Sequence, residues 1–198
     1  MKKSILCIAG VILLILLHGC NITITGLTSG YSKLSEEHRE KVVFLDAKDN
    51  VYEQEKDGKI YAITGEQLRK CIETQENVII YKWVPHCTGP HCFLLSYLQS
   101  YCDSHGYILY VVSSYYDSTR MITEQKNISL PLFSINEKYY KTKYCCRYTK
   151  LFVEDLLKDK KMAKEIWYKN TFIFNYGKLV STSLHIEDEP DRWEVIKP

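Results

Sequence analysis

The chain predicts an α/β fold, a central mixed sheet with helices on both faces, and three stretches carry that prediction. "NVIIYKWV" (77–84) and "YILYVVSS" (107–114) are unbroken apolar runs of strand length, and "PHCFLLSYLQSYCDSHG" (90–106) between them keeps helical periodicity. Continuous apolar runs suit strands covered on both faces, and a strand, helix, strand succession of this length makes a right-handed βαβ unit with parallel strands. "TFIFNYGKLV" (171–180) is an antiparallel hairpin turning through Asn175, Tyr176 and Gly177, which makes the sheet mixed.

The first residues stand apart from the fold. "MKKSILCIAGVILLILLHGC" opens on Lys2-Lys3 and carries an apolar run from Ile5 to Leu17. A bilayer span needs about 20 such residues, so this short run reads as an export signal ahead of a transmembrane anchor. The sequence therefore divides into a signal at 1–19, a tether at 20–40 that is short of large apolar side chains, and one domain at 41–198 with its core at about 64–183.

Each element of the domain has its own local reason. "VVFLDA" and "KIYAI" are short strands, and Asp57-Gly58 in "EKDGKI" offers the positive φ of a tight turn, predicting an N-terminal β-hairpin extension. "TGEQLRKCIETQEN" (64–77) opens with Thr64 and Gln67 at capping-box spacing and carries Leu68, Cys71 and Ile72 on one face of a short helix. In the helix at 90–106, Phe93, Leu94, Tyr97, Leu98, Tyr101 and Cys102 fall in register, with Pro90 in the first turn and Gly106 as the stop. "YDSTRMITEQKN" predicts a weaker helix, "ISLPLFSI" an extended segment, and "YTKLFVEDLLKDKKMAKEIW" a helix whose "KDKK" is its solvated end.

Charge and cysteine usage narrow the chemistry. The formal net charge of +2 comes from Lys2 and Lys3, the only charges in residues 1–19, so the mature chain is formally neutral. No basic excess remains to draw in nucleic acid. Of eight cysteines, Cys71 and Cys102 lie on apolar helical faces and read as small hydrophobes. Cys145-Cys146 reads as a vicinal pair in which a strained disulfide, pairing elsewhere and a free thiol all stay open. The sixteen tyrosines cluster in "SSYYD", "EKYYKTKY" and "SYLQSYC", as amphipathic packing at strand ends or as a stacking face. His38, His105 and His185 read as surface residues.

The distinctive motif is "PHCTGPHC" (85–92), which ends the strand at 77–84. With a helix, a buried strand, this cysteine motif, an amphipathic helix, a parallel strand and a late hairpin in order, the chain resembles the thioredoxin-like family. The similarity is to its membrane-tethered thiol-disulfide oxidoreductases of the bacterial envelope. "VIIYKWVPHC", "ISLPLFSINEKYY" and "TFIFNYGKLV" carry the resemblance, the second as the segment such enzymes insert before the closing hairpin. The fold implied is a three-layer α/β/α sandwich. The activity implied is dithiol-disulfide exchange with protein thiols or disulfides of the envelope, needing no cofactor. "LHGC" resembles a lipoprotein signal, which implies that Cys20 carries a lipid and holds the protein on a membrane; cleavage without lipid is the alternative, since His18 stands where that signal usually has a small residue.

On this resemblance Cys87 is the attacking thiol at a helix N-terminus and Cys92 the resolving thiol one turn inside, with His86, His91 and Pro90 beside them. The family carries two residues between its cysteines; here there are four, Thr88 to His91. The family's cis-proline position falls on Asn170, where a cis bond would cost about 2.5 to 4 kcal/mol and a trans bond is expected; an alternative alignment puts it at Pro131, with "PLFSI" and "KYYKT" as the hairpin. Two other readings of the cluster stay open. A thioredoxin-like binding module with a fixed disulfide is one, and a Zn or Cu site of His86, Cys87, His91 and Cys92 is the other.

Overall fold

The computed structural model describes residues 27–87, 92–183 and 194–195. Cys20, Pro90 and His91 lie outside the described residues, as do the signal and most of the tail.

Among the described residues eight strands form one sheet in the order β1-β2-β5-β4-β3-β6-β7-β8. They are β1 (Val42–Phe44), β2 (Ile60–Ile63), β3 (Val78–Trp83), β4 (Ile108–Ser113), β5 (Leu132–Ile135), β6 (Thr171–Asn175), β7 (Lys178–Ser183) and β8 (Glu194–Val195). The first five are parallel, β6 runs antiparallel to β3, and β6, β7 and β8 continue as antiparallel neighbours. All six residues of β3 are buried, as its unbroken apolar run requires of a strand covered on both faces.

The helices are α1 (Glu36–Glu40), α2 (Gly65–Ile72), α3 (Leu95–His105), α4 (Ser118–Glu124), α5 (Cys145–Leu157) and α6 (Lys160–Ile166). Alternate residues of the strands build two separate cores. Val78, Ile80, Tyr110 and Phe172 meet Leu68 and Ile72 of α2 and Phe152 and Leu156 of α5. Ile79, Tyr81, Val111 and Ile173 meet Leu95, Leu98 and Cys102 of α3 and Met121 of α4. The period-2 alternation of the strands thus feeds two apolar layers, and the domain is an α/β sandwich with helices on both faces.

α2 begins as its capping box dictates, with Gln67 N donating to Thr64 Oγ1 at 3.1 Å and Thr64 N donating to Gln67 Oε1 at 2.9 Å. Its first residue, Gly65, lies so close to α5 that a Cβ there would stand 2.0 Å from the Phe152 carbonyl oxygen. The hairpin turn takes Tyr176 and Gly177 through φ of 46° and 71°, the two left-handed residues that a two-residue hairpin loop needs.

Four expectations change. The N-terminal hairpin does not form: β1 and β2 are parallel, Val42 opposite Ile60, because residues 45–59 carry the chain back to the start of the sheet. Gly58 keeps its positive φ, but its turn is closed locally by Lys59 N donating to Asp57 Oδ1 at 3.1 Å. "PLFSI" is no hairpin arm. It is β5, buried at all four positions between β2 and β4, which removes Pro131 from the cis-proline alignment; there is no cis peptide bond among the described residues. The helix after the cysteines starts at Leu95, with extended Leu94 before it, so Cys92 precedes the helix rather than lying in its first turn. "KDKK" joins two helices: Lys158 ends α5 with φ 53° and Asp159 Oδ1 caps α6 by accepting from Met162 N at 2.9 Å.

The predicted tether is also attached over its described part. Ser29 N donates to Lys143 O at 2.9 Å, Tyr116 N donates to Ser29 O at 2.6 Å, and Thr28 bridges Tyr144. Tyr31 packs edge-on against Phe44 and Tyr116 at 5.1 and 5.4 Å. These backbone bonds and rings strap residues 27–34 across the carboxyl ends of β4 and β5.

Candidate disulfide site

The chain leaves the carboxyl end of β3 at Trp83 and turns at once, Cys87 N donating to Val84 O at 3.1 Å. Cys87 and Cys92 are joined by a disulfide with Cα atoms 5.8 Å apart, inside the usual span of about 4.4 to 6.8 Å. The four residues between them therefore do not keep the sulfurs apart. Cys87 is exposed and Cys92 half-buried. The carboxyl end of a parallel strand is where open α/β sheets place their ligands, because the chain reverses there and leaves a crevice.

A crevice of about 90 Å³ borders the disulfide and is lined in part by Val84, Phe93, Leu94, Arg120, Glu124 and Asn170. Asn170 comes from the start of β6, its carbonyl accepting from Lys82 N at 2.7 Å and its N–H donating to Ser183 O at 3.1 Å. That places Asn170 beside the pair in space, with a trans bond where the family resemblance has a cis-proline. Leu94 and Tyr97 stand exposed, although their periodicity assigned them to the helix's buried face; Leu98 and Cys102 keep that face and Leu95 joins them. A larger cavity of about 630 Å³, lined by Val51, Tyr52, Gln67 and Cys71, opens near Ile108 at the opposite end of the sheet and has no contact with this chemistry.

His86 is exposed, with Nε2 3.7 Å from Asp117 Oδ2 and its ring edge-on to Tyr115 at 5.1 Å. Tyr115 is held by Ser113, whose Oγ donates to Tyr115 O at 2.6 Å and accepts from Tyr115 N at 3.1 Å. Over the Tyr115 ring lies Gly30 of the strap, where a Cβ would meet the ring carbon at 2.6 Å. Strap, Tyr115, His86 and Cys87 thus form one contiguous series. Asp117 also caps α4, Oδ1 accepting from Arg120 N at 3.0 Å.

A buried lysine lies under the site. Lys82, on the β3 face toward α5 and α6, is 7% exposed, and burial pulls its ammonium from 10.5 down to about 7. Its Nζ lies 5.6 Å from the Phe172 ring centre. A lysine inside "VIIYKWV" was the sequence signal for it. Tyr115 and Asp117 had no such signal: the predicted parallel strands end on the same side, but only the fold turns these two side chains toward His86.

The other cysteines among the described residues, Cys71, Cys102, Cys145 and Cys146, are thiols. Burial pushes the Cys102 thiol up to about 12 and raises Cys71 and Cys145. Cys145 accepts from Tyr148 OH at 3.1 Å, while Cys146 beside it is exposed, so the vicinal disulfide does not form. Among the described residues no three His, Cys, Asp or Glu side chains could hold a metal ion, and none of their helices is long and apolar enough to cross a membrane.

Fold and site define a class: an α/β sandwich carrying a solvent-facing disulfide at the carboxyl end of a central parallel strand. Comparison with family models, with curated proteins and with solved structures finds no match for the chain.

Proposed function

We propose that this chain is a thioredoxin-like thiol-disulfide exchange protein, held on a bacterial envelope membrane through lipidated Cys20. The observation that carries the reading is the Cys87–Cys92 disulfide on the exposed rim of β3, with Cys87 outward. The order β3, α3, β4 with β6 antiparallel against β3 supports the family resemblance, and β5 between β4 and β2 departs from it.

In the reducing direction the Cys87 thiolate attacks a substrate disulfide, forming a mixed disulfide and releasing one substrate thiolate. Cys92 then attacks Cys87 sulfur, the mixed bond breaks, and the second substrate thiolate leaves. Two electrons pass from the dithiol to the substrate, whose two thiolates take up the two protons that Cys87 and Cys92 lose. His86, next to Cys87 in the chain and loosely paired with Asp117, is a group able to relay one of them.

Thiol trapping in redox buffers tests this. A redox-active pair titrates between about −270 and −120 mV, Cys87→Ser abolishes insulin reduction, and Cys92→Ser accumulates mixed disulfides. A potential below about −300 mV assigns the bond to structure instead. That second reading, a binding module with a fixed disulfide, draws support from the late start of α3: the helix dipole falls off within its first turn, and Cys92 lies before it.

A further inference from the structure

The loop between β5 and α5, taken with the first residues of that helix, has an unusual composition. From 137 to 147 it reads "EKYYKTKYCCR", with four cationic side chains and one carboxylate, Glu137, which is half-buried. Tyr139 and Tyr144 expose 49% and 48% of their surface, and Lys141, Lys143 and Arg147 are exposed beside them. Leu27, 49% exposed, joins the same surface, its carbonyl accepting from Cys145 N at 3.1 Å. Tyrosines with an apolar body and a polar tip, ringed by lysine and arginine, match the headgroup layer of an anionic bilayer.

The position of the strap points the same way. From Cys20 to Leu27 the chain can reach at most about 25 Å fully extended. Leu27, Thr28 and Ser29 are bonded to this loop, so an anchor at Cys20 pulls this end of the sheet toward the membrane. The β6–β7 turn at Tyr176 lies at the other end of the sheet, about a strand's length of 20 Å further away.

We propose that the basic, tyrosine-rich loop 137–147, with Leu27, rests on the anionic headgroup surface of the membrane that holds Cys20. The inference rests on the lipid attachment put forward above and deepens it. The disulfide shares this end of the sheet through Gly30, Tyr115 and His86, so its partner thiols are those that membrane proteins present close to the bilayer surface.

Cys146, exposed and free at the start of α5, gives a native labelling position. The full lipidated chain, with Cys87–Cys92 oxidised and a nitroxide on Cys146, is reconstituted in vesicles of phosphatidylethanolamine and phosphatidylglycerol. A second sample carries the label at Tyr176→Cys in a Cys146→Ser background. The expected result is an oxygen-to-nickel accessibility ratio several-fold higher at Cys146 than at Tyr176→Cys, with the difference lost in Lys141→Glu/Lys143→Glu. Equal aqueous exposure of both labels on vesicle-bound protein overturns the docking and leaves the attachment standing. Protein that stays off the vesicles overturns both. Shielding from nickel without a gain in oxygen contact marks a protein neighbour and also overturns the proposal, as does shielding that survives the charge reversal.

Discussion

The Lys82 ammonium donates to the carbonyl oxygen of Trp167, the residue that closes α6. A cation at a helix carboxyl terminus is favourably placed, yet burial still opposes its charge and takes its pKa down to about 7. β3 and the end of α6 are thereby joined through a group whose charge the interior resists.

Lys82 makes stability pH-dependent in a defined direction. Its folded pKa lies below its unfolded value of 10.5, so between about pH 7 and 10.5 the unfolded chain binds more protons and stability rises with pH. Below pH 7 both states are protonated and the burial cost is present in full. Denaturant titrations should show wild type gaining about 2 kcal/mol from pH 7 to pH 8.5 relative to Lys82→Met, which lacks the ionisable group. Parallel curves for the two proteins would place Lys82 in water rather than in the core.

Gly65 sets the approach of α2 to α5. An added Cβ would meet the Phe152 carbonyl oxygen at 2.0 Å and the Leu156 nitrogen at 2.8 Å, both backbone atoms that cannot swing away. Gly65→Ala should cost about 3 kcal/mol or more and lower the melting temperature accordingly, although alanine is the better helix former. A neutral substitution would show that the two helices can slide apart.

The strap and the disulfide should communicate through Tyr115. Gly30→Ala combines a strained positive φ of 82° with a clash on the Tyr115 ring at 2.6 Å, so the ring must move off His86 or the strap must lift. Dithiothreitol should reduce Cys87–Cys92 several-fold faster in this variant, because the 84–87 turn loses its support. An unchanged rate with lowered stability would confine Gly30 to holding the strap.

Thiol accessibility should divide the free cysteines. Alkylation of the folded, oxidised protein near pH 8 should modify Cys146 first, leave Cys102 and Cys145 unmodified until denaturant is added, and reach half-buried Cys71 slowly. Peptide mass mapping reads the order directly. Early loss of Cys145 would mean that the Tyr148 contact and the start of α5 open readily.

Much of the fold was legible along the chain, and the reason is local. The capping box at Thr64, the unbroken run ending at Trp83 and the turn at Tyr176-Gly177 are fixed by neighbours within a few residues, whose hydrogen bonds and φ preferences do not depend on the rest of the fold. The start of α3 was misplaced because Pro90 offers a first-turn residue to the sequence, whereas the backbone at Leu94 is extended and the helix begins at Leu95. The partners of His86 were invisible, since Asp117 lies across a parallel crossover.

By itself the sequence determined the two layers of helices, the central apolar strand, the closing hairpin and the presence of two cysteines at the end of that strand. Those features follow from periodicity and turn chemistry. Only the tertiary structure decided that β1 and β2 run parallel, that β5 enters the sheet between β2 and β4, and that the strap and Tyr115 close around His86. Strand order and packing depend on burying both faces at once, and residues far apart in the chain satisfy that condition together.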